Sequence, residues 1–134
     1  MILVDTSAFF AVIDDRDPNH SRAVTALEDL QVSGEPLLTH EYVVVESTAL
    51  IQRRLGLDAF RRFTDDLLPI VVIIWVDEAL HVAAREALLG AGRRTVSLGD
   101  WTSFLVMRRR GIRQAFTFDP DFGTGGFEVV PPDA

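Results

Sequence analysis

The sequence predicts an α/β domain with a mostly parallel central sheet, on three observations. Short apolar segments alternate with amphipathic helical stretches along the chain. Residues 70–76 read IVVIIWV, apolar at every position and rich in β-branched residues, the pattern of a strand covered on both faces by helices. No repeat, low-complexity tract or long linker interrupts the pattern, and 134 residues with 48% apolar content suit one core. One domain over residues 1–134 is therefore expected.

In chain order, residues 2–4 form a short apolar strand ending at Asp5. Thr6 and Ser7 then offer hydroxyls suited to capping a helix over residues 8–13. After the turn Asp17-Pro18-Asn19, Ala23, Ala26, Leu27 and Leu30 recur at helical spacing, with Gly34 just past the end. Residues 36–39 make a second strand, leading into a helix from about 41 to 55 that stops at Gly56. Phe60, Phe63 and Leu67 mark another amphipathic helix ending before Pro69. The 70–76 strand precedes a helix over 78–89 closed by Gly90 and Gly92. A helix over 100–110 ends at Gly111, and residues 115–118 and 127–130 are two last strands around a Gly-rich turn. In such a fold, ligands collect at the carboxyl ends of the strands.

Composition removes several chemistries. The chain has no cysteine, which excludes disulfides, thiolate ligands and thiol nucleophiles. It has no lysine, which excludes the phosphate-accepting receiver and aspartyl-phosphate phosphatase families and any nucleotide-binding P-loop. His20, His40 and His81 stand apart with no second histidine at ligand spacing; each reads as a surface or capping residue, so zinc chemistry finds no support. Trp75 and Trp101 read as core or interface residues. The apolar start carries an aspartate and no preceding base, unlike a secretory signal, and the longest apolar run is far below the roughly 20 residues that span a bilayer. A soluble cytoplasmic protein without membrane association is the expectation. The net charge of −7 argues against nucleic-acid binding at first sight. However, all 13 basic residues are arginines, and several are clustered, at 53–54, 61–62, 93–94 and 108–110 with Arg113. They form either solvated helix faces or a phosphate-binding rim around an acidic centre.

Four carboxylates define that centre. Asp5 and Asp119 each stand at the end of a strand; Asp5 is either a helix N-cap or a site residue, and Asp119 either belongs to the turn Asp119-Pro120-Asp121 or to the site. Glu46 shares a helical stripe with Val43, Leu50 and Arg53, which puts it at least half inside and in need of an arginine, a proton or a metal. Asp100 lies three residues after Ser97, as in a capping box, yet shares a face with Ser103, Phe104 and Met107. Carboxylates from two strand ends and two helices converge only if a cation neutralises them, because crowded like charges cannot all ionise. With oxygen donors alone the cation is hard, Mg²⁺ or Mn²⁺. Nucleases use such clusters to activate water and stabilise charge on a phosphodiester.

The segments ILVDTSAFFAVIDDRDPNH, EYVVVESTAL, SLGDWTSFLVMRRRGIRQAFTFDPDF and GFEVVP, in this order and spacing, resemble the PIN-domain family, specifically VapC-like toxins, over nearly the whole chain. The resemblance implies a three-layer α/β/α fold with Asp5, Glu46, Asp100 and Asp119 as the acidic quartet, serving both as catalytic residues and as metal ligands. It implies Mg²⁺-dependent endoribonuclease activity by a metal-activated water, leaving a 5′-phosphate and a 3′-hydroxyl. It also implies a homodimer and a cognate VapB-like antitoxin. Asp121, in a variable position, ranks below Asp119; Thr6 and Ser7 resemble the hydroxyl pair beside the first aspartate; Glu41 is favoured at its helix start by the dipole alone. The competing reading is a PIN-like scaffold that binds RNA or protein without cleaving.

Overall fold

The computed structural model describes residues 1–133. Among them five strands form one sheet, β1 (Ile2–Val4), β2 (Leu37–His40), β3 (Val72–Ile74), β4 (Gln114–Phe116) and β5 (Glu128–Val130), in the order β3-β2-β1-β4-β5. Every pairing is parallel, so all carboxyl ends open on the same edge. Seven helices connect them: α1 (Thr6–Ile13), α2 (His20–Ser33), α3 (Glu41–Leu55), α4 (Leu57–Arg62), α5 (Glu78–Ala91), α6 (Leu98–Arg110) and α7 (Pro120–Thr124).

The three layers follow from the pleat, which turns successive side chains to opposite faces. Ile2 and Val4 join a core built with α1, α2, α3 and α4, whereas Leu3 joins a second core with Leu38, Ala115 and α6. Both cores are built of buried apolar side chains, and β1 at the centre is buried throughout. Phe63, fully buried, meets Phe9 edge-on at 5.2 Å. Phe63→Ala is expected to destabilise the protein by about 3–5 kcal/mol through lost burial and a residual cavity, read as a lower urea midpoint.

Two sequence expectations are corrected here. The apolar run 70–76 is not covered on both faces: β3 is an edge strand, with Val72 65% and Trp75 71% exposed. Trp75 therefore lies outside the core. The stretch through Phe63 is not one regular helix either; after α4 the backbone widens into a π-type turn over Phe63–Leu67 and tightens into a 3₁₀ turn over Leu68–Ile70 containing Pro69. Proline removes a backbone donor there and prevents continuation. No helix among the described residues is long and apolar enough to cross a membrane.

Candidate active site

The carboxyl ends of β1 and β4 are neighbours, and each delivers an aspartate. Asp5 follows β1, and its backbone N–H continues the ladder by donating to the Phe116 carbonyl at 3.0 Å. Its side chain is almost wholly buried, and Oδ2 accepts from the Ser7 hydroxyl at 2.9 Å and the Thr117 hydroxyl at 3.0 Å. The same hydroxyls brace the β4 end: the Phe118 N–H donates to Ser7 Oγ, and the Asp119 N–H to Thr117 Oγ1, both at 2.9 Å. Ser7 and Thr117 lie 3.1 Å apart, yet each has one proton, and both protons are directed to Asp5. These hydroxyls lock the strand ends together and fix the carboxyl between them. Asp119 caps α7, with Oδ1 accepting from the Asp121 N–H at 2.9 Å.

Two helices bring the other acids. α6 starts with a capping box in which Ser97 Oγ accepts from the Asp100 N–H at 3.1 Å and Asp100 Oδ2 accepts from the Ser97 N–H at 3.0 Å. One carboxyl oxygen of Asp100 is thereby occupied, and the other is available to the site. Asp100, Asp119 and Asp121 each offer a carboxylate oxygen, and these oxygens all lie within 4.8 Å of one another. Glu46, on the second turn of α3, extends its carboxylate over the first turn of α6, where Oε2 lies 3.5 Å from the point a Cβ on Gly99 would occupy.

Electrostatics follow from this crowding. Burial, opposed by the Ser7 and Thr117 hydrogen bonds and reinforced by Asp100 and Asp119, raises the Asp5 carboxyl from the usual 3.8 to about 6. Glu46 is raised by desolvation and then by repulsion from Asp100, against a lowering hydrogen bond with Thr6. Asp100 is raised by desolvation and by Asp119 and Asp121, against its bonds to Ser97. Asp5, Glu46 and Asp100 are thus each raised in part by neighbouring acids of the same edge. The N-termini of α1 and α6 point their positive dipole ends toward it, which offsets part of the repulsion. A set of oxygen donors alone suits a hard divalent cation.

The sequence matches the PIN domain over residues 2–127. This chain belongs to the PIN-domain family. Two relatives, the 23S rRNA-specific endonuclease VapC20 from two strains of Mycobacterium tuberculosis, are 36% identical over 135 residues, covering 99% of this chain and 100% of each relative. The crystal structure of Mycobacterium tuberculosis VapC20, described as a sarcin–ricin loop cleaving toxin, superposes with a TM-score of 0.82 at 34% identity, covering 95% of this chain and 96% of that one. FitAcB from Neisseria gonorrhoeae shares the fold, with a TM-score of 0.69 at 19% identity over 96% of both chains.

Within this PIN fold Asp5, Glu46, Asp100 and Asp119 meet at the carboxyl edge of the sheet, and Asp121 joins them more closely than sequence reasoning ranked it. Thr117 was missed; its one sequence signal is a hydroxyl two residues before Asp119, the spacing of a local side-chain turn. Ser7 bonds the Asp5 carboxyl, and the Thr6 hydroxyl stands beside Glu46. Glu46 lies on the flank of α3, whose inward stripe runs through Val43, Ser47 and Ile51, so it stands at the rim with an exposed side chain whose carboxylate is still partly desolvated. His40 is not a surface residue: it is fully buried, and although it holds the N-cap position of α3 its ring makes no capping bond. The arginine clusters are exposed. Among the described residues Arg93 alone pairs with a cluster acid, reaching Asp121 at 3.6 Å, while Arg22, Arg54 and Arg108 lie over aromatic rings.

Proposed function

We propose that this PIN-domain protein is the toxin of a VapBC-like pair, a Mg²⁺- or Mn²⁺-dependent endoribonuclease acting through Asp5, Glu46, Asp100 and Asp119, with Asp121 assisting. The observation that carries the reading is the mutual approach of the Asp100, Asp119 and Asp121 oxygens beside a buried Asp5 whose carboxyl is pushed toward protonation. Without a cation such a cluster repels itself. A divalent ion held there activates water and neutralises charge on the phosphodiester. The residues of the chain divide the remaining work. Asp5, Asp100 and Asp119 hold the ion, each positioned by bonds to its second oxygen or its backbone. Glu46, exposed at the rim, orients the attacking water or completes the ligand set. Ser7 and Thr117 keep Asp5 in place.

Full-length likeness to the VapC20 relatives supports 23S rRNA as the substrate, at its sarcin–ricin loop; the toxin reading carries with it a VapB-like antitoxin and a homodimer as the partners to look for. Incubating the purified protein with ribosomal RNA and Mg²⁺ or Mn²⁺, then sequencing 5′-phosphate ends, tests activity and substrate together. Ends confined to that loop, and lost on chelation, are expected. Unchanged RNA under both metals would leave a binding scaffold as the better description. Mn²⁺ at about 100 times its Kd is also expected to add about 2.7 kcal/mol of stability by mass action. A melting curve indifferent to millimolar Mn²⁺ would count against the metal centre.

A further inference from the structure

His40 is the one histidine of the chain with a fully buried side chain, and its position connects the two helices that bear site acids. Its backbone ends β2 and starts α3, which carries Glu46 two turns on. Its ring crosses to α6, where Nε2 meets the Ser103 hydroxyl at 2.8 Å. Ser103 is itself fully buried and lies one turn beyond Asp100 on the same helical face. The backbone of Gly99, the residue before Asp100, is also beside the ring, without meeting hydrogen-bond geometry.

α6 packs on the sheet through Phe104, Val106 and Met107 and on α5, but only lightly on α3, so the polar His40–Ser103 contact adds a directional tie between the start of α3 and α6. The imidazole is moreover a poor choice as filler. Its Nδ1 is buried with no hydrogen-bond partner, an arrangement that destabilises a fold and that an apolar side chain would avoid. Burial keeps the ring neutral at ordinary pH, so it has one donor and one acceptor to place, and the Ser103 contact uses one of them.

We propose that His40 is a positioning residue for the acidic centre: through Ser103 it pins the second turn of α6, and with it Asp100 one turn earlier, against the end of β2. This rests on the metal-dependent reading above. Groups hydrogen-bonded directly to metal ligands typically influence metal affinity about 10- to 100-fold, and His40 acts one step further out, so the lower end of that range is expected.

The test is calorimetric titration of Mn²⁺ into metal-free wild type, His40→Leu, His40→Gln and Ser103→Ala, each first shown to unfold cooperatively. His40→Leu and Ser103→Ala are expected to weaken Mn²⁺ binding about 10-fold, whereas His40→Gln, whose amide reaches Ser103 from a similar place, stays within about threefold. In cleavage assays kcat should fall in the first two with KM for RNA nearly unchanged. Wild-type affinity in Ser103→Ala would overturn the inference, as would a Gln variant as weak as the Leu variant, which would mark a packing role only. Should His40→Leu fail to fold, Ser103→Ala and His40→Gln decide the matter between them. A wild type that binds no Mn²⁺ would overturn the metal-dependent reading and this inference with it.

Discussion

Asp100→Asn is expected to lower RNA cleavage by about 100-fold or more while leaving the fold and its stability nearly unchanged. The two halves of this expectation come from the two oxygens of one carboxyl. Oδ2 accepts from the Ser97 N–H and closes the capping box, and an asparagine oxygen can take that place. Asp100 also brings a carboxylate oxygen within 4.8 Å of those of Asp119 and Asp121; with the amide oxygen kept in the cap, the NH₂ takes the remaining position, presents a donor to a cation and removes a charge. Ser97→Ala is the matching control. It breaks the cap, at about 0.5–2 kcal/mol, but keeps the carboxylate, so its activity should survive at temperatures where it is folded. Full activity in Asp100→Asn would require an active centre elsewhere.

Asp5→Asn should do two opposite things: abolish cleavage and make the metal-free protein more stable. Raising the Asp5 carboxyl from 3.8 to about 6 means that its ionised form is disfavoured in the fold by about 3 kcal/mol at most. Asparagine removes the charge, and its oxygen still accepts from Ser7 and Thr117, so a gain of about 1–3 kcal/mol is expected, roughly 3–10 °C in Tm. The pH dependence has a definite sign. Between pH 3.8 and about 6 the folded protein holds a proton at Asp5 that the unfolded chain has released, so this group's stabilising contribution is present at low pH and lost as pH rises through 6. Glu46 and Asp100, also raised, act in the same direction. His40 opposes them: burial lowers it from 6.5 to about 4, so its contribution grows as pH rises through that window. The informative quantity is therefore the Tm of Asp5→Asn minus that of wild type, in chelator. It should be near zero at pH 4 and reach its maximum above pH 6–7. A difference that is flat with pH, or negative, would mean that Asp5 is not strained by its surroundings.

Much of the site was legible because strand ends and helix starts have local signatures. Asp5 after ILV, Asp119 after AFTF and Asp100 after Ser97 could each be located to within a residue or two. For each of them a capping or turn role competed with a site role, and the structure shows that the capping bonds leave room for both. All three accept a backbone N–H near their own helix start, and a carboxylate has a second oxygen to spare. Where sequence reasoning erred, the error concerned neighbours. Asp121 looked like turn chemistry, and nothing in the local chain states that its oxygen approaches Asp100, which is 21 positions earlier. His40 looked peripheral because its hydrogen-bond partner is on a helix 63 residues away.

The sequence by itself determined the elements, their alternation and hence a parallel sheet with acids at its carboxyl edge, since hydrophobic period and capping chemistry act within a few residues. Only the tertiary structure decided that the apolar β3 is an edge with Trp75 exposed, that Glu46 flanks its helix rather than entering the core, and that His40 is enclosed. Periodicity states which side chains share a face; strand order and helix packing decide what that face meets, and those depend on contacts between segments that no local pattern encodes.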